Sequence, residues 1–476
     1  MTAPQTASTA PPPVNMVGHA HLSGVFAPQR TEVDVDELTV VGELPADLNG
    51  TYFRNGPNPR FDPIGRYVYP LDGDGMVHRL RIDNGRAGYS NRFVRTPMVL
   101  AEEKAGRALW GGITDTYSPG PDLVGPELAG SSRQLPDINV VAHGGRLLAM
   151  AESDLPYRLD PADLATLGRT DCDGAMALGS TAHPKIDPAT GELVLFTYRL
   201  QAPFLAWSVL GPDGSTRRAP TAIEGVDEPV MVHDMALTAR YIVLFLCPLV
   251  FDIPGMLRGA SLLDWRPARG TRIALIPRDG AAVRWAETDA FWVWHFANAY
   301  DEADGTVVVD YVQWAYPGGL ADVDTPQRGG LVRAVLDPRT GDVDRTELAM
   351  RPVEFPRIDD RDLTAPHTTI ATAGISGTDR TRDALMFLDP RRGTEIWWKA
   401  GPFAVGEPVF MPGEQHAYWG TLGTDLRDMT SWFHILAAQD PAAGPVASIR
   451  MPIRVPAGLH GSWLPSDGDL LDPGAR

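Results

Sequence analysis

The sequence predicts an all-β protein, with a β-propeller as its architecture. Its 48 glycines and 43 prolines stand singly at turn positions, which is typical of many short strands joined by tight turns. Similar turns recur, among them Ile186-Asp187-Pro188, Leu336-Asp337-Pro338 and Leu388-Asp389-Pro390. In the second half they return at intervals of roughly 50 to 60 residues, close to the four-strand blade period of a propeller. A β-sandwich array is the alternative that this pattern leaves open.

Domain organisation is read from the ends of the chain and from the lack of a linker. Residues 1–17 are rich in Pro, Thr and Ala, without the basic and apolar regions of a signal peptide. We expect residues 1–24 to form a disordered tail. No composition change divides the rest, so we expect residues 25–476 to form a single propeller domain.

Charge and cysteine content narrow the function classes. The formal net charge is −18, which argues against nucleic-acid binding, because phosphate contacts need a basic face. Two cysteines, Cys172 and Cys247, provide no disulfide framework and fit a reducing compartment. No uncharged apolar run approaches the ~18 residues of a membrane span. We therefore expect a cytoplasmic protein.

Three histidines stand in similar sequence contexts. His183, His233 and His295 each precede a turn that leads into an apolar strand, such as Tyr241-Ile242-Val243-Leu244-Phe245 after His233. A fourth, His460, lies in a Pro- and Gly-containing stretch near the end. A lone histidine is more often a structural residue than a ligand, and the wide spacing does not match a zinc finger. If the strands converge, however, the imidazoles meet, and they suit a redox-capable divalent metal with open positions.

Three glutamates occupy otherwise apolar strand contexts: Glu152, Glu354 and Glu407. Metal-binding imidazoles usually donate their second ring N–H to a carboxylate, which fixes the tautomer and the ring orientation. Each glutamate alone is more simply read as a carboxylate beside a turn. Together with the histidines, they indicate a metal site with carboxylate partners.

Several motifs resemble those of the carotenoid cleavage oxygenases, a family that also contains retinoid isomerases and stilbene-cleaving enzymes. The resemblance extends from about residue 25 to 465. The matching segments, in order, are Gly50-Thr51-Tyr52-Phe53-Arg54-Asn55-Gly56-Pro57-Asn58-Pro59, Leu71-Asp72-Gly73-Asp74-Gly75-Met76-Val77-His78, Thr181-Ala182-His183-Pro184, Val232-His233-Asp234, Trp294-His295-Phe296-Ala297-Asn298-Ala299, Glu354-Phe355-Pro356-Arg357-Ile358 and Leu459-His460-Gly461.

The resemblance implies a seven-bladed β-propeller with a loop or helical cap over a non-haem Fe(II) on its axis. By position, it implies that His183, His233, His295 and His460 are the ligands. Glu152, Glu354 and Glu407 would then hold His233, His295 and His460 respectively, and His183 would have no carboxylate partner. Four of six positions would be filled, leaving room for O2 beside an alkene. The resemblance thus implies a dioxygenase that cleaves a conjugated C=C bond and places both oxygen atoms in two carbonyl products.

The resemblance also bears on the substrate. Relatives that cleave lignostilbene or isoeugenol carry a Tyr and a Lys for the phenolic oxygen, whereas this chain has Ile113 and Ala151 at those positions. An unpaired phenol costs about 1–3 kcal/mol per lost partner. This difference favours a carotenoid or apocarotenoid, with a stilbenoid or phenylpropene as the alternative. We expect Ile138, where many members have Thr, and Phe296 to line the pocket as well.

Three further expectations complete the interpretation. A polyene substrate comes from a membrane or a carrier, and the apolar region 246–263 is a candidate for peripheral membrane contact, or else simply caps the core. Residues 254–265 are the best helical candidate.

An isomerase that consumes no O2 and a non-enzymatic scaffold without metal are the functional alternatives from other classes.

Overall fold

Seven antiparallel sheets form the blades of a β-propeller in the computed structural model, which describes residues 10–68, 70–115, 117–258, 260–318, 329–377 and 381–466. The predicted all-β propeller is confirmed, and the β-sandwich array is excluded. Helical structure in the described ranges is short: α1 (Pro97–Ala105), α2 (Pro121–Val124), α3 (Ile253–Leu257), and the 3-10 turns Gly24–Phe26, Pro70–Asp72, Pro267–Arg269, Asp360–Asp362 and Pro441–Ala443.

The strands follow one another with short connections, as the density of turn residues predicts. In the first half they are β1 (Asp34–Val35), β2 (Val40–Gly42), β3 (Gly50–Pro57), β4 (Gly75–Asp83), β5 (Arg86–Phe93), β6 (Asn139–His143), β7 (Arg146–Met150), β8 (Tyr157–Leu159), β9 (Thr166–Arg169), β10 (Lys185–Ile186), β11 (Leu193–Tyr198), β12 (Leu205–Leu210), β13 (Thr216–Ala222), β14 (Ala236–Leu237), β15 (Tyr241–Leu246), β16 (Leu249–Phe251) and β17 (Leu263–Trp265).

The second half continues the same pattern with longer strands. They are β18 (Thr271–Pro277), β19 (Arg284–Thr288), β20 (Trp292–Asp301), β21 (Val307–Trp314), β22 (Gly329–Leu336), β23 (Val343–Ala349), β24 (Val353–Arg357), β25 (Ile370–Gly374), β26 (Ala384–Asp389), β27 (Thr394–Lys399), β28 (Phe403–Pro412), β29 (Ala417–Asp425), β30 (Ser431–Ala437), β31 (Pro445–Arg450) and β32 (Gly461–Pro465).

Two blades close the ring by pairing strands from opposite ends of the chain. Five blades are four-stranded and follow the chain in order: β6 to β9, β10 to β13, β14-β15-β18-β19, β20 to β23 and β24 to β27. The other two are β1-β5-β4-β3-β32 and β2-β31-β30-β29-β28. In the first of these Tyr52 lies opposite Trp463, and in the second Val41 lies opposite Ser448. Backbone pairing within these two sheets therefore joins the first and last parts of the chain.

The core lies between neighbouring blades. Middle strands such as β15 are apolar at nearly every position because both of their faces are covered. Between the β14-β15-β18-β19 blade and the next one, Phe245 packs against Phe291, Phe296 and Tyr311 with ring centroids 5.0 to 5.7 Å apart. Such packing holds the innermost strands of the blades at fixed positions around the axis.

An excursion interrupts the β14-β15-β18-β19 blade between β15 and β18. It comprises β16, α3 and β17, so the segment predicted as helical is a short helix followed by a strand. Leu249 and Val250 are buried, whereas Leu257 is 71% exposed. The Leu249 carbonyl accepts a hydrogen bond of 2.9 Å from the backbone N–H of Met231, which ties the excursion to the segment leading to His233. No helix in the described ranges has the length and apolarity needed to cross a membrane.

The N-terminal stretch that precedes β1 lies along the propeller. Residues 1–9 of the predicted tail lie outside the described residues. Further on, the backbone N–H of Val14 donates to the Pro63 carbonyl at 2.8 Å, and the side chain of Leu22 is buried. The predicted domain boundary at residue 25 stays a prediction.

Candidate metal centre

Four buried imidazoles meet on the inner side of the blades. His183 precedes β10, His233 precedes β14, His295 lies in β20, and His460 directly precedes β32. Their candidate ligand nitrogens all lie within 4.8 Å of one another, and the Nε2 atoms of His183 and His233 are 3.1 Å apart. The structure thus brings together the four histidines that the sequence singled out.

Irregular pairing in the inner strands aims the site residues inward. The register of β20 against β21 shifts on both sides of Phe296, next to His295. The register of β24 shifts between Glu354 and Arg357, and that of β28 between Val405 and Pro408. A β-bulge adds a residue to one strand and redirects its side chains, so these shifts explain how residues of regular strands converge on one point.

Each of three imidazoles has a carboxylate partner. The Nδ1–H of His295 donates to Oε2 of Glu354 at 2.6 Å, and that of His460 donates to Oε1 of Glu407 at 2.9 Å. These bonds fix the tautomer in which Nε2 carries the free lone pair.

Of the remaining two histidines, His233 contacts a carboxylate and, among the described residues, His183 does not, as the resemblance implied. Nδ1 of His233 contacts Oε1 of Glu152. In the described part of the chain, the His183 ring forms no ion pair with a carboxylate, and its backbone N–H donates to Oγ1 of Thr181 at 3.0 Å. The pairing of glutamates with histidines is therefore the one that the resemblance implied.

The glutamates are themselves held by a further set of side chains. The Tyr198 hydroxyl donates to Glu152 at 2.7 Å, and the Trp314 indole N–H donates to Glu354 at 2.8 Å. A guanidinium nitrogen of Arg357 lies 3.2 Å from Oε1 of Glu407. Burial alone would raise the pKa of Glu407, but Arg357 and His460 lower it to about 2. The glutamate is therefore ionised at neutral pH and accepts from the imidazole.

Burial keeps part of the imidazole set neutral. The pKa of His183 lies well below its ordinary value of 6.5, because burial and then the three neighbouring imidazoles disfavour its protonated form. Burial lowers the pKa of His460 to about 4, although Glu407 acts in the opposite direction. Burial would lower the pKa of His233 as well, but Glu152 raises it above the ordinary value. Neutral imidazoles are the form that binds metal.

The donor set fits a divalent transition metal. An ion about 2.1 Å from each nitrogen separates neighbouring ligand nitrogens by about 3 Å. The 3.1 Å between His183 and His233 matches this separation. The buried Nε2 of His295 has no hydrogen-bond partner among the described residues, as expected of an atom that faces an ion. Four nitrogen ligands leave positions open for other molecules.

A cavity of about 530 Å³ leads to the histidines. His233, His295 and His460 line it, together with many apolar side chains such as Ile138 and Leu422. The indoles of Trp294 and Trp314 also line it. A large apolar cavity with few polar groups is typical of a site for a hydrophobic small molecule.

The four predicted pocket residues lie in different places. Ile138 lines the cavity, and its carbonyl accepts a hydrogen bond of 3.1 Å from the backbone N–H of His460. Ala151 is buried next to Glu152 in sequence, and Phe296 packs in the aromatic cluster between two blades. Ile113 is 48% exposed. These last three are not among the residues that line this cavity, and their predicted roles stay predictions.

The sequence analysis assigned no role to several other residues that line the cavity. The Phe355 ring lies 5.3 Å from that of His295 and 5.4 Å from that of His460, on a residue with a φ of 55°. Positive φ is rare for a bulky residue, and it marks a backbone held in place by its surroundings. His21, Arg54 and Arg382 line the cavity as well. Nothing in the sequence around Phe355 signals its backbone conformation, because glycine usually marks such positions.

The chain is similar to known oxygenases in both sequence and structure. The resveratrol cleavage oxygenase 1 of Aspergillus fumigatus is 32% identical over 93% of this chain and 95% of its own length. The carotenoid 9,10(9',10')-cleavage dioxygenase 1 of Pisum sativum is 30% identical over 94% of this chain and 90% of its own length. The crystal structure of the lignostilbene dioxygenase of Pseudomonas brassicacearum matches with a TM-score of 0.83 and 30% identity, over 98% of this chain and 100% of that chain.

The family model described as "Retinal pigment epithelial membrane protein" matches residues 26–465. This range is nearly the one over which the motifs resemble the carotenoid cleavage oxygenases. The resemblance is therefore confirmed, and the chain belongs to the family of the retinal pigment epithelial membrane protein and the carotenoid cleavage oxygenases.

Proposed function

We propose that this protein is a non-haem Fe(II)-dependent oxygenase that cleaves a conjugated C=C bond of a carotenoid or apocarotenoid into two carbonyl products. In the balanced reaction one alkene and one O2 give two C=O groups, with no further reductant. The observation that carries the proposal is the cluster of four buried histidines at the end of an apolar cavity.

His183, His233, His295 and His460 would hold the Fe(II), which supplies the activation of O2 when it is bound. Glu152, Glu354 and Glu407 orient three of these imidazoles and offset part of the charge of the ion. The apolar lining excludes water from the reacting alkene and positions the polyene by packing contacts.

The carotenoid or apocarotenoid substrate is supported by the residues that differ from phenol-cleaving relatives. Ala151, at the position of a lysine in those enzymes, is buried and apolar. Ile113 provides no hydroxyl group. A phenolic oxygen would find neither of the two partners that it has in those relatives.

A stilbenoid or phenylpropene is the second candidate substrate. It is supported by the similarity over nearly the whole chain to a protein named resveratrol cleavage oxygenase 1 and to the structure of a lignostilbene dioxygenase. The two candidates share one chemistry and differ in the products, which are polyene aldehydes in one case and aromatic aldehydes in the other.

Product analysis by liquid chromatography and mass spectrometry tests the proposal. Fe(II)-loaded protein is incubated in parallel with an apocarotenal and with 4-hydroxystilbene, under isotopically labelled O2. We expect shortened polyene aldehydes and their partner carbonyls, with label in both fragments. Isomerised polyene without O2 consumption would indicate an isomerase instead. Aromatic aldehydes from the stilbene alone would establish the second candidate.

Peripheral membrane contact through residues 246–263 belongs to the same proposal, because a polyene is poorly soluble in water. It is supported by the exposed side chain of Leu257 at the end of α3. Flotation with phospholipid vesicles tests it. Replacing Leu257 with Glu should reduce the bound fraction, while unchanged flotation would argue against this region.

A further inference from the structure

Two arginines line the cavity that leads to the histidines. Arg54 lies in β3 and is 3% exposed, and Arg382 lies two residues before β26. Both are placed against β28. The Arg382 carbonyl accepts a hydrogen bond of 2.8 Å from the backbone N–H of Val405, and a Cβ added to Gly406 would lie 3.3 Å from a terminal nitrogen of Arg54. Two cations therefore face a cavity that is otherwise largely apolar.

No carboxylate in the described part of the chain is in direct ion-pair contact with either arginine, although Glu354 acts on Arg382 from farther away and opposes the lowering of its pKa by burial. Nη1 of Arg54 donates to the Pro456 carbonyl at 3.3 Å, and no ion pair involves either arginine among the residues described. Glu354 is the one carboxylate among the described lining residues, and it already accepts hydrogen bonds from His295 and Trp314. Glu354 is thus shared between Arg382, His295 and Trp314, and a charge taken partly out of water without a carboxylate of its own is costly, so the cavity favours a further anionic partner.

Arg382 is the more available of the two cations. Its Nε atom is buried and has no hydrogen-bond partner among the described residues. Its guanidinium carbon lies 5.0 Å from the centre of the Phe355 ring, which itself lies 5.3 Å from that of His295. A guanidinium with a free Nε can pair with both oxygens of a carboxylate. One aromatic ring thus separates this cation from the four-histidine cluster.

We propose that Arg382, assisted by Arg54, binds a carboxylate at one end of the substrate, so that the protein acts on a conjugated alkene that ends in a carboxylic acid. This inference rests on the proposed function and narrows its substrate class. It also predicts which bond is cut. Only the Phe355 ring separates Arg382 from the histidines, so the double bond that is cut lies near the acidic end of the substrate. The fragment that keeps the carboxylate is then the shorter product.

Direct binding tests the inference without turnover. Trp294 and Trp314 line the cavity, so a bound polyene quenches their fluorescence. Full-length protein, both metal-free and Fe(II)-loaded, is titrated with retinoic acid, retinal and retinol, which differ only in the end group. We expect the acid to bind at least about tenfold more tightly than the alcohol, which corresponds to a hydrogen bond to a charged group.

Variants assign that preference to Arg382. Arg382→Met should weaken binding of the acid at least about tenfold and leave binding of the alcohol within about twofold, while Arg382→Lys retains part of the preference. Arg391→Met, at an exposed arginine, is the matched control and should bind like the wild type. Equal binding of acid and alcohol by the wild type, or a preference that survives in Arg382→Met, would overturn the inference.

A second pair of ligands distinguishes a carboxylate from a phenolic hydroxyl as the group that Arg382 binds. If 4-hydroxystilbene binds more tightly than stilbene, and this preference alone is lost in Arg382→Met, the cation serves a phenol and the carboxylate proposal is wrong. Failure of the proposed function can be told apart from failure of this inference. If the proposed function is wrong, the Fe(II)-loaded protein cleaves no substrate, whatever its binding preference. Cleavage of polyenes without a preference for the acid would refute only the inference.

Discussion

The indole N–H of Trp314 donates a hydrogen bond of 2.8 Å to Oε1 of Glu354, whose Oε2 accepts from His295. Trp314 therefore holds the Glu354 carboxylate in place, and this carboxylate in turn orients the His295 imidazole. It lies at the end of β21, one strand outward from β20, which carries His295. The neighbouring strand of the same blade thus contributes to the orientation of the imidazole.

Replacing Trp314 with Phe should weaken iron retention roughly threefold to tenfold, less than the loss of a direct partner of a ligand. Iron dissociation into a chelator, followed spectroscopically, measures the effect. Trp292→Phe is the control, because its buried indole N–H has no hydrogen-bond partner among the described residues. Equal iron loss in the two variants would mean that packing, and not the hydrogen bond, is responsible.

Replacing Glu354 with Gln should weaken iron retention roughly 10- to 100-fold, since an amide is a poorer partner for the imidazole N–H than a carboxylate. Metal content after dialysis against a graded chelator series measures the change. Glu347→Gln, at an exposed position of β23 in the blade that carries His295, should retain iron like the wild type. Unchanged retention in Glu354→Gln would mean that Glu354 does not orient a ligand.

Replacing His295 with Ala should remove iron and leave a folded propeller. The side chain is one of four candidate ligands, and the strand around it keeps its pairing with β21. Metal analysis and far-ultraviolet circular dichroism report on the two parts of this expectation. His416→Ala, at a 56% exposed side chain, is the control. Full iron occupancy in His295→Ala would refute the ligand assignment.

His434 should make stability depend on pH. Its ring is buried between Trp398 and Phe403, and burial lowers its pKa to about 4. As the pH falls below 6.5, the unfolded chain takes up a proton that the folded protein does not bind until about pH 4. The free energy of unfolding should therefore decrease over this range, by up to about 3 kcal/mol from this group.

Urea denaturation of the wild type and of His434→Gln at pH 7 and pH 4.5 isolates this contribution. The glutamine variant does not titrate at position 434, so the difference between the two proteins should shrink on acidification. A difference that is the same at both pH values would show that His434 does not cause the pH dependence. Using the difference between variants removes the contribution of the other buried histidines.

The sequence contains the signals for the propeller and for the four histidines, because turn residues and apolar strands are local features. The glutamate partners of His233, His295 and His460 could also be predicted, from their apolar strand contexts and from the resemblance to the family. The roles of Arg54, Arg382 and Phe355 could not. The sequence around an arginine or a phenylalanine in a strand does not show whether its side chain lines a cavity. The bulges that turn these strands inward depend on pairing with strands that are distant in sequence.

Closure of the ring has a consequence for the biogenesis of the protein. His460 directly precedes β32, the strand that pairs with β3 and joins the two ends of the chain. The other three imidazoles belong to segments that are synthesised before His460. An incomplete chain can thus offer three ligands at most. A metal ion held by all four imidazoles would bind stably only after the final strand pairing, and it would then oppose the separation of β32 from β3.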